Sequence, residues 1–290
     1  MKKKILFIIN PVSGIGEQKI IEKLVEENLD KQKFDHSFIY TNAPKHATEL
    51  SKKASENSVD IVVAVGGDGT VNEVVGGLVK TTTAMAILPI GSGNGFARHL
   101  KIPMNLAGAI NVINQSNTTT VDTGEINGMS FVNIAGVGFD AQIASEFAKF
   151  GKRGFASYIK VFLRECLTYK TAEYTILIDT QTLTKKALLM SFSNGSQYGN
   201  EAFIAPQADI KDGLIDVCIL KKFPFYALPQ LAYQLFNKTI HRSKYLETIR
   251  GKEITIKQSE NIAHIDGEPV ELGNDIKVKV NPLSLKVIIP

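Results

Sequence analysis

The sequence predicts an α/β domain with a parallel sheet, followed by an all-β domain. Its 290 residues exceed the usual size of a single domain. The first third alternates strand-like with helix-like segments, which is typical of a parallel sheet with helices on both faces. After about Val121 the segments become short, β-rich and separated by Gly, Asn, Asp and Pro, which indicates an antiparallel sandwich or barrel.

The first third is expected to contain four strands and three helices. The expected strands are KILFII (4–9), HSFIYT (36–41), DIVVAV (60–65) and AMAILPI (84–90). The expected helices cover 17–29, 45–56 and 71–79. Ligands bind at the carboxyl ends of parallel strands, and three of those ends carry NPVSGIG, GGDGT and GSGNG. Three such loops at one edge favour a binding site there.

The remainder is expected to be built mainly from strands. The candidate segments are SFVNIAG (130–136), YTILID (174–179), KKALLMSFSN (185–194), GLIDVCIL (213–220), KEITIKQ (252–258), IKVKVNP (276–282) and LSLKVIIP (283–290). Helices are expected at 141–169 and at about 227–243. We therefore place an α/β domain at 1–122 and a β-sandwich at 123–282.

Composition excludes several functional classes. The net charge of +4 is low for a nucleic-acid-binding protein, although it suits phosphates or an anionic membrane. Two cysteines, Cys166 and Cys218, are too few for a disulfide framework and favour a reducing compartment. The apolar run near the start ends after Ile9, and no run approaches the ~20 residues of a spanning helix. We expect a cytoplasmic protein that is not integral to a membrane.

The motif GGDGTVNEVVGGL joins an expected strand to an expected helix. It matches neither GxxxxGK[ST] nor GxGxxG, so no standard nucleotide fingerprint applies. One interpretation is a tight turn with glycines at positive φ and Asp68 near the helix N-cap. The other is a phosphate site, which is favoured by the second glycine loop GSGNGFARHL and its Arg98.

Several motifs together resemble one family. NPVSG, GGDGTVNEV, PIGSGNGFARHL and FVNIAGVGFDA, followed by an Asp-rich loop and DGE, are similar to the diacylglycerol kinase catalytic-domain family of soluble lipid kinases. Sphingosine kinases belong to that family, and NAD kinases and phosphofructokinases are more distant relatives. The resemblance covers nearly the whole chain in the expected order.

The resemblance implies a three-layer, NAD kinase/phosphofructokinase-like α/β domain, a C-terminal β-sandwich and an active site between them. It also implies that the last strand, 283–290, returns to the first domain. The implied ATP site consists of Asn10, Pro11, Val12, Ser13, Gly14, Thr41, Gly66, Gly67, Asp68, Gly69, Thr70, Val71, Asn72 and Ser92. Arg98 is the cation best placed to neutralise phosphate charge.

Two Asp-Gly segments carry the remaining implied chemistry. The loop 206–217 contains three aspartates, and carboxylates suit Mg²⁺, but Asp-Gly also marks ordinary hairpins. The resemblance implies Mg²⁺ held by the Asp212 carboxylate, with backbone oxygen from Asp209 and Leu214. It further implies that Glu268, in HIDGEPVEL, is the general base, a role that phosphoryl transfer requires.

Gly95 departs from the pattern of many bacterial diacylglycerol kinases, which have Asp at this position. Asp68 and Asp122 remain for a network of carboxylate, water and metal. The glycine version is closer to the sphingosine-kinase loop, so the lipid stays open. Residues 149–170 mix aromatic and basic side chains. This pattern is typical of an amphipathic helix on an anionic membrane surface, but also of a helix packed on the sheet with a solvated basic face.

The expected function is an ATP-dependent, Mg²⁺-requiring lipid kinase with Glu268 as base and Asp68 as a second catalytic residue. Its lipid hydroxyl is diacylglycerol-like or sphingoid, reached by peripheral contact with the inner membrane face. The alternatives are an NAD kinase-like enzyme with a soluble substrate and a non-catalytic lipid or nucleotide-binding homologue. The oligomeric state is open, with a homodimer one alternative.

Overall fold

The computed structural model describes residues 2–13, 18–149, 164–165, 169–258 and 260–290. The chain divides into two compact units. The first comprises Met1–Thr123 with Leu283–Pro290, and the second comprises Gly124–Pro282.

The first unit is built from alternating strands and helices. Its strands are β1 (Lys3–Ile9), β2 (Phe34–Tyr40), β3 (Ile61–Gly66), β4 (Ala84–Pro89) and most of β5 (Thr118–Ile126). Its helices are α1 (Gln18–Asn28), α2 (His46–Glu56), α3 (Asp68–Leu78), α4 (Gly95–His99) and α5 (Leu106–Gln115).

The sheet of this unit runs in the order β2-β1-β3-β4, and every pairing among these strands is parallel. All residues of β3 and β4 are buried, as expected for central strands covered on both faces. The order places the carboxyl ends of the four strands side by side, so the loops that follow them share one edge.

The chain's last strand closes this unit. Val287 pairs in parallel with Met85 of β4. Asp122 is fully buried, and its Oδ1 accepts the backbone N–H of Leu283 at 2.7 Å, while the Thr123 and Ser284 hydroxyls lie 2.8 Å apart. These contacts give Asp122 a structural role in holding the returning segment.

The second unit contains the remaining elements. Its strands are β6 (Met129–Phe131), β7 (Ile134–Gly138), β8 (Ala172–Ile178), β9 (Gln181–Ala187), β10 (Leu189–Ser193), β11 (Ile215–Leu220), β12 (Leu246–Gly251), β13 (Glu253–Lys257), β14 (Ile262–Ile265), β15 (Glu268–Glu271) and most of β16 (Asp275–Ile288). Its described helices are α6 (Phe139–Lys149), α7 (Leu228–Phe236) and the 3-10 turns Phe225–Ala227 and Ile240–Arg242.

Two antiparallel sheets form this unit. One has the order β12-β11-β10-β7-β14-β15, and the other contains β16, β13, β8 and β9. Alternate side chains of both sheets, such as Val137, Met190, Ile176 and Ile256, are buried in one apolar core. The expected fold class, a parallel α/β domain followed by an antiparallel sandwich, is confirmed.

Two expectations concern residues 141–170. The described helix here ends at Lys149, and nearly all of the basic stretch 149–170, with Cys166, lies outside the described residues. Within the part of the chain that the structure describes, no helix is long and apolar enough to cross a membrane.

Candidate active site

The loop after β1 is held by its first residue. Asn10 Oδ1 accepts the Val12 N–H at 3.1 Å, which makes an Asx turn, and Asn10 Nδ2 donates to Thr70 Oγ1 of α3 at 3.0 Å. Ser13 is buried and its N–H donates to the Asn10 carbonyl, whereas Pro11 and Val12 are exposed. Gly14 lies outside the described residues.

Thr41 begins the loop after β2, next to the loop that Asn10 begins. Its N–H donates to the Ile9 carbonyl at 2.9 Å, so the parallel pairing of β1 and β2 extends to this position. The side chain is buried. The first two loops of the edge are therefore adjacent.

Asp68 is the first residue of α3, directly after the N-cap residue Gly67. Its Oδ1 accepts the N–H of Gly95 at 2.7 Å, and Gly95 begins α4. A carboxylate at a helix start is also favoured by the helix dipole. The carboxylate therefore links the GGDG turn to the second glycine loop, a role that the motif alone does not indicate.

The glycines of the two loops are required by close packing. A Cβ on Gly66 would lie 2.3 Å from Thr70 Oγ1, and a Cβ on Gly91 would lie 2.5 Å from the Cα of Gly67. The turn interpretation included positive φ for these glycines, and that part of it is wrong, because Gly67 has φ −94° and no glycine of this turn adopts the left-handed region. The two loop backbones touch, and a side chain would separate them.

We expect Gly91→Ala to destabilise the first unit by about 1–3 kcal/mol, since the added methyl group meets backbone that cannot move independently. Equilibrium unfolding in urea measures this effect. Gly76→Ala in α3 is the matched control, because its Cβ would be 3.4 Å from Thr48 and alanine favours a helix. Equal stability of the two variants would contradict the packing argument.

The second glycine loop is organised by Asn94, which adopts a left-handed conformation with φ 52°. Its Oδ1 accepts the Gly91 N–H, and its Nδ2 donates to the Gly91 carbonyl at 2.7 Å. Arg98 Nε donates to the Gly93 carbonyl at 3.1 Å. The guanidinium thus lies against the loop, and the loop leaves Ser92 exposed.

The remaining predicted nucleotide residues lie in the first turns of α3. Thr70 and Val71 are buried, and the Val71 N–H donates to the Gly67 carbonyl. Gly69 and Asn72 are half-buried. The structure therefore brings the predicted residues from four strand ends to one edge, and it leaves the Val71 side chain in the core.

In the second unit, the loop of aspartates is folded by Asx turns and an arginine. Asp209 Oδ1 accepts the Lys211 N–H, and Asp212 Oδ1 accepts the Leu214 N–H, both at 3.0 Å. Arg250 Nε lies 2.7 Å from Asp216 Oδ1, and its Nη1 lies 3.8 Å from Asp212 Oδ2. Burial raises the pKa of the Asp216 carboxyl against the lowering effect of Arg250.

The side chains of this loop could hold Mg²⁺ only at a site where the protein supplies few of the ligands. Among the described residues no group of three or more His, Cys, Asp or Glu side chains is arranged to hold a metal ion. Mg²⁺ commonly binds one or two carboxylates and keeps several waters. The partly exposed Asp212 carboxylate meets that requirement.

Glu268 follows a two-residue hairpin turn between β14 and β15. Asp266 and Gly267 have φ of 47° and 89°, and Ile265 pairs with Glu268 across the turn. Asp-Gly is the preferred sequence for a turn with two positive φ values. The hairpin interpretation is therefore correct for the turn, and the turn leaves the Glu268 side chain exposed.

Asp266 anchors the turn that carries Glu268. Its Oδ1 accepts the N–H groups of Asn133 and Ile134 at 2.9 and 3.0 Å, and its Oδ2 accepts that of Val132 at 3.1 Å. Three hydrogen bonds from backbone N–H groups to one buried carboxylate hold its position firmly. The FVNIAG segment therefore fixes the position of the DGE turn.

A buried polar cluster lies beneath the same hairpin. His264 Nε2 lies 3.0 Å from Asp140 Oδ2, an ion-pair distance. Asp140 Oδ2 also accepts the hydroxyls of Ser191 and Tyr198, at 3.0 and 2.8 Å. Burial raises the pKa of Asp140, but the nearby His264 and these hydrogen bonds outweigh it and lower the pKa. A Cβ on Gly136 would lie 2.6 Å from His264 Nε2, so this glycine makes room for the pair.

We expect Asp140→Asn to lower the free energy of unfolding by about 2–4 kcal/mol at pH 7, because His264 and the two hydroxyls lose the buried carboxylate with which they pair. Since the folded pKa of Asp140 lies below the unfolded value of about 3.8, its contribution is present above that value. The contribution is lost as pH falls through the folded pKa. Urea unfolding at pH 7 and pH 3.5 tests this, and a variant deficit that does not shrink at low pH would contradict it.

Sequence reasoning missed the roles of Arg250, Asp266 and the Asp140–His264 cluster. Asp140 lies inside the motif FVNIAGVGFDA, and His264 and Asp266 lie inside HIDGEPVEL, so these motifs could have pointed to all three residues. Nothing in the sequence around Arg250 pointed to it.

Comparisons with known proteins agree with this architecture. Residues 4–126 match the family model of the diacylglycerol kinase catalytic domain, and residues 133–289 match that of the YegS C-terminal NAD kinase beta sandwich-like domain. A diacylglycerol kinase of Staphylococcus epidermidis is 32% identical over 230 residues, which is 77% of this chain and 72% of that protein. An uncharacterized Synechocystis protein is 27% identical over 98% of this chain and 69% of its own length.

A solved structure extends the similarity to the whole chain. A crystal structure from Bacillus anthracis, provisionally assigned as a diacylglycerol kinase, matches with a TM-score of 0.81 and 25% identity, over 99% of this chain and 97% of that chain. On the two family models and the staphylococcal relatives together, this chain belongs to the diacylglycerol kinase catalytic-domain family.

Proposed function

We propose that this protein is an ATP- and Mg²⁺-dependent kinase that transfers the γ-phosphoryl group to the hydroxyl of a diacylglycerol-like or sphingoid lipid. The observation that carries the proposal is the meeting of the NPVSG, GGDGT and GSGNG loops with Thr41 at one edge of the parallel sheet. The S. epidermidis relative, named a diacylglycerol kinase, supports the substrate class.

The first-unit edge would bind the nucleotide. Glycine contacts such as Gly67 to Gly91 leave backbone free of side chains, which allows close approach of phosphates. The N-terminus of α3 favours anions through the helix dipole and the direction of its first N–H groups. Arg98 adds the positive charge that ATP requires.

The aspartate loop of the second unit would hold Mg²⁺ through the Asp212 carboxylate, with backbone oxygen from Asp209 and Leu214. When bound, the ion supplies charge neutralisation for the phosphoryl group. Arg250 holds Asp216 at 2.7 Å and lies 3.8 Å from Asp212 Oδ2, a distance too long for a hydrogen bond, so it positions the loop mainly through Asp216.

Glu268 would take the proton of the lipid hydroxyl. Its carboxylate is exposed on a turn anchored by Asp266, which combines access for a substrate with a defined backbone position. Asp68 would contribute negative charge toward the metal and its waters while it orients the second glycine loop.

The direct test is incubation with γ-labelled ATP, Mg²⁺ and mixed micelles of diacylglycerol, sphingosine or monoacylglycerol, with NAD as a soluble acceptor. We expect label in at least one lipid, lost on chelation of Mg²⁺. Label in NAD alone would replace the proposal by an NAD kinase-like activity. ATP binding without transfer to any lipid, including a whole-cell lipid extract, would indicate a non-catalytic homologue.

A further inference from the structure

Four large aromatic side chains are exposed on one short segment of the second unit. Phe225, Tyr226, Tyr233 and Phe236 have 62%, 83%, 67% and 41% of their surface exposed. Soluble proteins rarely leave several aromatic residues together in solvent, and such patches usually mark an interaction site. We call these four residues the aromatic face.

The spacing places the four residues on one side. Tyr226 and Tyr233 are seven residues apart and Phe225 and Phe236 are eleven apart, which correspond to about two and three helical turns. The 3-10 turn Phe225–Ala227 continues directly into α7, so both belong to one short rod.

The opposite side of this rod is packed. Leu231 belongs to a buried cluster with Ile204, Ile240 and Leu246, and Leu235 packs against it. The packed side holds the rod in place, so the aromatic face projects from a defined support without needing to fold on contact.

The surroundings of the aromatic face are cationic. The segment 221–246 contains five lysine or arginine residues and no aspartate or glutamate. Lys221 pairs with Glu247 at 3.0 Å, whereas Arg242 and Lys244 line a cavity of about 280 Å³ beside α7 together with Gln230 and Gln234. The cavity also borders Leu231, so these two cations lie along α7 at the flank of the aromatic face.

We propose that the aromatic face and its cations form a docking surface for an anionic lipid bilayer. Aromatic rings insert at the level of the headgroups, and lysine and arginine beside them bind anionic lipid. A second copy of this chain would place like charges against one another, which disfavours self-association through this face. None of these residues belongs to the stretch 149–170 or to the proposed catalytic groups.

The chain contains no tryptophan, which permits a direct spectroscopic test. In Tyr226→Trp the single indole would enter the bilayer interface when vesicles of equimolar phosphatidylglycerol and phosphatidylcholine are added. We expect its emission to shift to shorter wavelength. Leu177→Trp, on an exposed position of β8, is the matched control and is expected to show no shift.

Vesicle sedimentation measures how much the aromatic face contributes to the affinity for the bilayer. We expect Tyr226→Ser with Tyr233→Ser to weaken binding to the same vesicles by roughly tenfold or more. Met129→Ser with Leu177→Ser, which removes exposed apolar side chains elsewhere, is expected to bind as the unaltered chain. Because both tyrosines are exposed, we expect serine to be tolerated at these positions, and unchanged thermal unfolding would verify this.

The outcomes separate docking from catalysis. Binding is measured without ATP, and the serine variants are expected to phosphorylate a water-soluble short-chain lipid at the unaltered rate if the proposed function is correct. An absent emission shift or unchanged vesicle affinity in the serine variants would overturn the docking surface. So would a dimer in light scattering that the same variants abolish, because the face would then bind protein.

Discussion

Replacing Glu268 with glutamine is expected to lower the rate of lipid phosphorylation by about a hundredfold or more, because the amide cannot accept the hydroxyl proton. The substitution preserves size, and Glu268 is exposed on its turn, so the free energy of unfolding should change little. Initial rates with labelled ATP and diacylglycerol micelles measure the effect, and urea unfolding checks the fold.

Glu271→Gln supplies the matched control for this experiment. Glu271 is also exposed, ends the same short strand and pairs with Ile262, but it lies at the opposite end from the turn. We expect the control to retain nearly full activity and ATP affinity. If Glu268→Gln keeps full activity, or if both variants lose activity equally, Glu268 is not the base.

The strands and helices of the first unit could be predicted closely because local pattern and tertiary environment agree there. The strand expected at 84–90 is observed at Ala84–Pro89, and the helix expected at 45–56 is observed at His46–Glu56. The third helix begins at Asp68, earlier than the expected 71. Glycine has a low helix propensity, and Gly69 lies in the first turn of the helix, which the prediction left out.

The second unit was harder to predict in detail. The run KKALLMSFSN, expected as one segment, is divided between β9 and β10, which lie in different sheets. The strand β12 (Leu246–Gly251) has no apolar alternation strong enough to mark it, and among the described strands it pairs with β11 alone. Pairing between distant strands decides such elements, and one sequence does not encode it locally.

The candidate site, too, could be predicted from the sequence only in part. Loops at the ends of parallel strands could be placed together from order alone. The Asp68 to Gly95 hydrogen bond spans 27 positions, and Asp140 and His264 are 124 positions apart. Taken alone in the sequence, each of these residues has an ordinary explanation, either as a turn residue or as a buried polar residue of the core. Only the folded backbone brings the partners within 3.0 Å and gives them a joint role.

Asp68 can be tested by two substitutions that separate charge from hydrogen bonding. Asp68→Asn keeps an oxygen that can accept the Gly95 N–H, whereas Asp68→Ala removes it. If the charge acts toward a metal and its waters, both variants should lose turnover by about a hundredfold or more. ATP affinity should fall by less than that, and less for asparagine than for alanine, because asparagine can preserve the second glycine loop.

Isothermal titration with ATP and Mg²⁺ and single-turnover phosphorylation measure the two quantities separately. Asp60→Asn is the control, since Asp60 also accepts a backbone N–H, that of Lys4 at 2.8 Å, but lies at the amino end of β3. If Asp68→Asn restores turnover, the carboxylate matters through its hydrogen bond to Gly95 and its charge is dispensable. If alanine weakens ATP binding more than it slows turnover, Asp68 is a turn residue that shapes the nucleotide site, and the metal network must rest on the aspartate loop alone.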